Sequence, residues 1–141
     1  MAKLCLSLCG DKGSIVVYNQ SFEKGILKDL GNIFTEYTNW TEDVCKRIID
    51  LLIPFRNFHY YDLLQEGSTS LKSVLPTVTG KSYERMNIAD GETASLVFQQ
   101  ITYGDVSDEV RSKMREDSEK CCGLDTEGMI WIVGKLRQLC S

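Results

Sequence analysis

Apolar and polar positions along the chain change period several times, and each change marks an element. Ile15, Val16 and Val17 form a β-branched run after the Gly10-Asp-Lys-Gly13 turn signal, which predicts a buried strand over residues 14–18. Beyond Asn19 the apolar residues recur as Phe22, Ile26, Leu27, Leu30, Ile33 and Phe34, a helical spacing over residues 20–35. At ~100° per residue, Glu23 shares the face of Leu27, Leu30 and Phe34. A carboxylate therefore begins a stripe otherwise suited to a core.

The remaining pattern is mostly helical. Residues 2–9 read as one or two turns of helix with Leu4, Leu6 and Leu8 available for packing. Residues 37–40 read as a loop, Thr41-Glu-Asp43 as a helix start, and Val44, Ile48 and Ile49 as that helix's apolar side. Residues 51–55 suggest a second strand, which Pro54 confines to an edge or a strand end. Residues 56–67 carry the aromatic cluster Phe58-His-Tyr-Tyr61 and lead into a flexible stretch over residues 67–70. Leu71, Val74 and Leu75 predict a short helix stopped by Pro76, and residues 80–83 a loop. Asp90-Gly-Glu92 is a cap for a helix to Thr102 that buries Ala94, Leu96, Val97 and Ile101. A break at residues 104–107 precedes a long helical pattern from Asp108 to Leu139, with room for an interruption near Gly123. One convincing strand cannot satisfy its own backbone hydrogen bonds, so it pairs with the doubtful second strand or with segments outside this chain.

Composition narrows the class. The 141 residues suit one domain, and 43% apolar content with two prolines argues for a folded protein. No apolar run approaches the ~20 residues of a membrane span, so no membrane partner is expected. Six cysteines at positions 5, 9, 45, 121, 122 and 140 lack the density of a secreted disulfide scaffold and are read as reduced thiols in a cytoplasmic protein. The net charge of −4 supplies no global basic field, although a nucleic-acid site needs only a local basic rim.

Candidate chemistry is sparse. With Asp125 as reference, Met114, Ser118, Cys121, Met129, Ile132 and Leu136 lie within about 40° of it on a helix, so this acid sits in a packing stripe. It could equally be a helix N-cap after Gly123, and Glu23 could simply complement a helix dipole. Two acids on core faces nevertheless make a candidate pair for a divalent metal. Gly80-Lys-Ser82 resembles the end of a phosphate-binding loop, but Leu75 stands where the first glycine belongs, which excludes a nucleoside-triphosphate site. The cysteines match no zinc spacing, and His59 has no triad partner and is expected to pack in the aromatic cluster. Lys72 and Arg56 are candidate phosphate contacts, with a solvated face as the plain reading.

Five ordered stretches carry a family resemblance: Val17-Tyr-Asn-Gln-Ser-Phe-Glu-Lys24, Asp50-Leu-Leu-Ile-Pro-Phe-Arg56, Gly67-Ser-Thr-Ser-Leu-Lys-Ser-Val-Leu-Pro76, Asp90-Gly-Glu-Thr-Ala-Ser95 and Leu124-Asp-Thr-Glu-Gly-Met129. Together they resemble the C-terminal part of the bacterial "domain of unknown function 2779" family, which looks like a ribonuclease H-like exonuclease of the DEDD type. The resemblance runs from Leu4 to Leu139. It implies an α/β fold, here an incomplete ribonuclease H-like domain that is helix-rich with one or two strands. It also implies phosphodiester hydrolysis by two Mg²⁺ or Mn²⁺ ions on DNA or RNA, in single-stranded form. Within it Glu23 matches the second acidic motif, with Glu where Asp is usual, and Asp125 matches the third. Asn19, Lys72 and Arg56 become nucleic-acid contacts. Cys121 stands four residues before Asp125, where a Tyr that orients the attacking water is frequent. No Asp-x-Glu precedes Ser14, so the first motif and its strands are expected to be missing, the chain to be a C-terminal fragment, and the fragment to be inactive alone. A non-catalytic binding or scaffolding module retaining the fold is the alternative. An unpaired edge of strand 14–18 would favour self-association.

Overall fold

The computed structural model describes residue 10, residues 12–81 and residues 91–141, the side chains of 91–94 excepted. The expected helix over residues 2–9, Cys5, Cys9 and the Asp90 cap lie outside the described residues. The chain is helix-rich with a two-stranded parallel sheet. It divides into two compact units, residues 1–63 and 64–141, taken in turn.

In the first unit, β1 (Ile15–Val17) leads into α1 (Gln20–Ile33), a 3₁₀ turn (Thr35–Tyr37), α2 (Thr38–Arg47), β2 (Ile48–Asp50) and α3 (Ile53–Arg56). β1 and β2 pair in parallel, with Ile15 opposite Ile48, Val16 opposite Ile49 and Val17 opposite Asp50. The ladder extends one step further, because the Leu51 amide donates to the Val17 carbonyl at 2.8 Å. Arg47, at the end of α2, donates to the carbonyls of Gly10 at 2.9 Å and Gly13 at 3.4 Å and so holds the turn that feeds β1. Both glycines have positive φ, which that turn requires.

α1 and α2 pack against each other, closely enough that a Cβ on Gly31 would stand 2.6 Å from the Thr41 hydroxyl. Thr41, Val44, Leu51, Leu52 and Phe55 are buried here. Two expectations change. The second strand is not residues 51–55 but Ile48–Asp50, and Ile48 and Ile49 belong to it rather than to the apolar side of the preceding helix. Pro54 lies instead in the first turn of α3, where its missing N–H costs nothing. The expected loop at residues 37–40 is already helical, and α2 starts at Thr38 rather than Thr41.

In the second unit, α4 (Leu71–Thr79), α5 (Gly91–Tyr103) and α6 (Asp108–Leu139) surround a core of Val74, Leu75, Val78, Ile101 and Ile132. α6 packs against both α4 and α5. Pro76 does not stop α4, because it forfeits only the bond to the Lys72 carbonyl, and the helix runs on to the left-handed cap at Gly80. Gly123 does not interrupt α6, which is continuous over 32 residues. The Arg111 guanidinium donates to the carbonyls of Ile101, Gly104 and Val106, closing the end of α5 onto the start of α6. Leu96, expected inside, is exposed.

Candidate functional site

The most organised polar arrangement lies at the carboxyl end of the strand pair. β1 ends at Val17, and two residues on comes Asn19, whose backbone is left-handed at φ 77 and ψ 74. A non-glycine residue there is costly and needs support from its surroundings. Asp50 supplies it from the end of β2. Its Oδ1 accepts from the Asn19 amide at 2.9 Å and from the Leu52 amide at 2.9 Å, and its Oδ2 accepts from the Gln20 amide at 3.1 Å. Asp50 is itself buried, so one carboxylate uses its lone pairs on three backbone donors. Two of those donors open α1, a helix start that has no side-chain cap of its own.

Glu23 sits in the first turn of that helix and is half-buried, as are Leu27 and Leu30. The face it opens is thus a partly covered one, and Phe34, expected on it, is exposed at the helix end. Tyr18, just before Asn19, is half-buried; burial, and next the Asp50 carboxylate, push its phenol well above its ordinary value, with Arg56 pulling the other way. Arg56 is therefore within electrostatic reach of the β1–α1 turn, and its side chain is exposed. Asn19, Glu23 and Arg56 thus belong to one region of the first unit. Asp50 belongs there too and was missed as a site residue.

In the second unit, Asp125 lies mid-helix in α6 and is half-buried, which removes the N-cap reading. Cys121 is buried one turn before it. Burial, and next the charge of Asp125, raise its thiol above the ordinary value, while Lys72 opposes. Lys72 and Asp125 are thus both within electrostatic reach of Cys121. A buried thiol kept protonated is a poor replacement for a water-orienting phenol. Lys72 also borders a cleft of about 390 Å³ lined by Leu64, Gln65, Ser68, Ser73 and Pro76. The hydroxyls of Ser68, Ser70 and Ser73 bond to one another there, and Ser70 caps α4.

Elsewhere, Gly80 is a helix cap and the Lys81 ammonium lies 3.2 Å from the centre of the Trp131 ring, so this lysine is used in packing. His59 is exposed rather than packed. Among the described residues, no group of three or more His, Cys, Asp or Glu side chains is arranged to hold a metal ion. They do not by themselves fit a complete metal centre.

Residues 1–70 match the model of a family described as a domain of unknown function (DUF2779). The match includes Val17–Lys24 and Asp50–Arg56 and ends within Gly67–Pro76, so the chain is similar to that family over this stretch. Comparison with curated proteins and with solved structures found no match. No helix among the described residues is long and apolar enough to cross a membrane.

Proposed function

We propose that this chain is a portion of a metal-dependent, 3'-5' exonuclease-like nuclease domain that contacts single-stranded DNA or RNA and does not cleave it alone. The observation that carries the reading is the clamped β1–α1 turn. Ligands of parallel α/β sheets gather outside the carboxyl ends of the strands. There Asp50 rigidifies the backbone, and Glu23 follows within the first helical turn. The reading assigns Glu23 and Asp125 to Mg²⁺ or Mn²⁺, with further ligands supplied from elsewhere, and makes Asn19, Arg56 and Lys72 contacts to nucleic acid. Because the described residues do not fit a complete centre, no catalytic step is assigned to this chain.

Calorimetric titration of Mg²⁺ and Mn²⁺ into the wild type, Glu23→Ala, Asp125→Ala and the double variant tests the acids. Each single variant is expected to weaken binding, and the double variant to weaken it further. Identical binding by all four would make both acids structural and favour a non-catalytic module. Incubation with end-labelled single strands is expected to leave them intact; magnesium-dependent shortening would refute inactivity.

A further inference from the structure

The turn after α3 arranges its aromatic residues in a way that packing does not explain. The amides of His59 and Tyr60 both donate to the Pro54 carbonyl, at 2.8 and 3.3 Å, and the Phe58 amide donates to the Phe55 carbonyl at 3.1 Å. This tight reversal sends Tyr60 inward, where its ring meets the fully buried Phe55 edge-on at 5.8 Å. It sends Phe58 and Tyr61 outward. Their rings lie 5.6 Å apart and tilted by 53°, with Phe58 67% and Tyr61 43% exposed. Phe58 has φ 56, a left-handed conformation in which a bulky residue is strained and glycine is at ease. The chain thus bears a solvent-exposed phenylalanine at a position where its backbone favours glycine.

The charge around the pair differs from that of the whole molecule. In a chain of net charge −4, residues 51–61 contain no acid, Arg56 and His59 are both exposed there, and the half-buried Asp62 follows directly after Tyr61. The flanking Asp50 turns its carboxylate onto backbone amides. Exposed aromatic faces on a hydrogen-bonded turn, with an exposed arginine two residues before the first of them, are elements with which proteins stack unpaired bases.

We propose that Phe58 and Tyr61 form a stacking platform for the bases of a single-stranded nucleic acid, with Arg56 meeting its phosphate. The platform rests on the nucleic-acid reading given above and supplies its substrate contact. Because base faces are all aromatic, the platform takes DNA or RNA with little sequence preference.

The test is fluorescence anisotropy on the full chain, with a labelled oligothymidine strand and an abasic strand of equal length as probes. Wild type is expected to prefer oligothymidine by about fivefold or more. Phe58→Gly and Tyr61→Ala should lose that preference. Phe58→Gly should also melt at the same or a higher temperature, because glycine accepts the local backbone, so lost binding would not be lost folding. Equal affinity of wild type for both strands, or variants as tight as wild type, would overturn the platform and leave backbone contact standing. Failure of wild type to bind either strand would overturn the nucleic-acid reading itself. Sedimentation showing self-association that Phe58→Gly abolishes would make the patch a protein interface and overturn the platform.

Discussion

At the scale of single residues, Asp50 is the side chain on which the first unit most depends. Its oxygens pair three backbone amides, and two of these belong to the left-handed turn that starts α1. Leaving a buried donor unpaired costs about 1–3 kcal/mol, so Asp50→Ala should cost about 3 kcal/mol or more, part of it recovered where water reaches the turn. Asp50→Asn separates the two oxygens. An amide oxygen at the Oδ1 position keeps Asn19 and Leu52, while its NH₂ faces the Gln20 amide; the expected cost is about 1–2 kcal/mol. Urea unfolding measures both, and amide exchange at Asn19, Gln20 and Leu52 should accelerate in Asp50→Ala. Unchanged stability and exchange would mean that the turn is held by something other than this carboxylate. Asp50 was not legible in the sequence as a site residue. An acid after two isoleucines looks like any strand end, and two of its three amide partners lie 31 and 30 residues earlier.

At the scale of elements, the sequence was readable where a period is long and unopposed. β1, α1 and α6 follow their patterns in extent, although β1, expected to be buried, is half-buried with Val16 exposed, and Ser107 caps α6 as a serine before an acidic first turn should. It was misread where two periods agree. Ile48 and Ile49 continue the helical spacing of Val44 as well as they form a β-branched pair, and only pairing with β1 decides for the strand. Prolines misled in both units, since Pro54 sits at a helix start and Pro76 is tolerated inside α4. The glycines of α6 show what local sequence cannot separate. Around Gly134 and Gly123 there is open space, whereas a Cβ on Gly128 would meet Leu75 carbons at 3.1 and 3.2 Å, and Leu75 is fully enclosed. Gly134→Ala and Gly123→Ala should each stabilise by about 0.5–1 kcal/mol through helix propensity. Gly128→Ala should gain nothing net, and Gly128→Val should cost about 1–3 kcal/mol by overpacking. Melting temperatures in the order Gly134→Ala, wild type, Gly128→Val check this. A stabilised Gly128→Val would show that α4 and α6 are less closely packed than the distances state.

At the scale of the whole molecule, charge and division into units constrain how the chain would meet a nucleic acid. The formal charge of −4 opposes a polyanion at long range, so attraction must be local and short-ranged. Glu23 and Arg56 lie in the first unit, and Asp125 and Lys72 in the second. A binder built on a basic groove releases many counterions and loses affinity steeply with salt, with a slope of roughly −0.7 per phosphate for single strands. Stacking on Phe58 and Tyr61, with the Arg56 guanidinium meeting a single phosphate, leaves few phosphates neutralised. The logarithm of affinity for oligothymidine against the logarithm of KCl concentration should therefore fall with a slope of about −0.7 to −1.4. Arg56→Ala should flatten that slope by about 0.7 while preserving the preference for bases over an abasic strand. Anisotropy titrations at several salt concentrations measure both quantities. A slope steeper than about −3 would mean that a broader set of cations carries the contact, and the aromatic pair would then be secondary to the backbone.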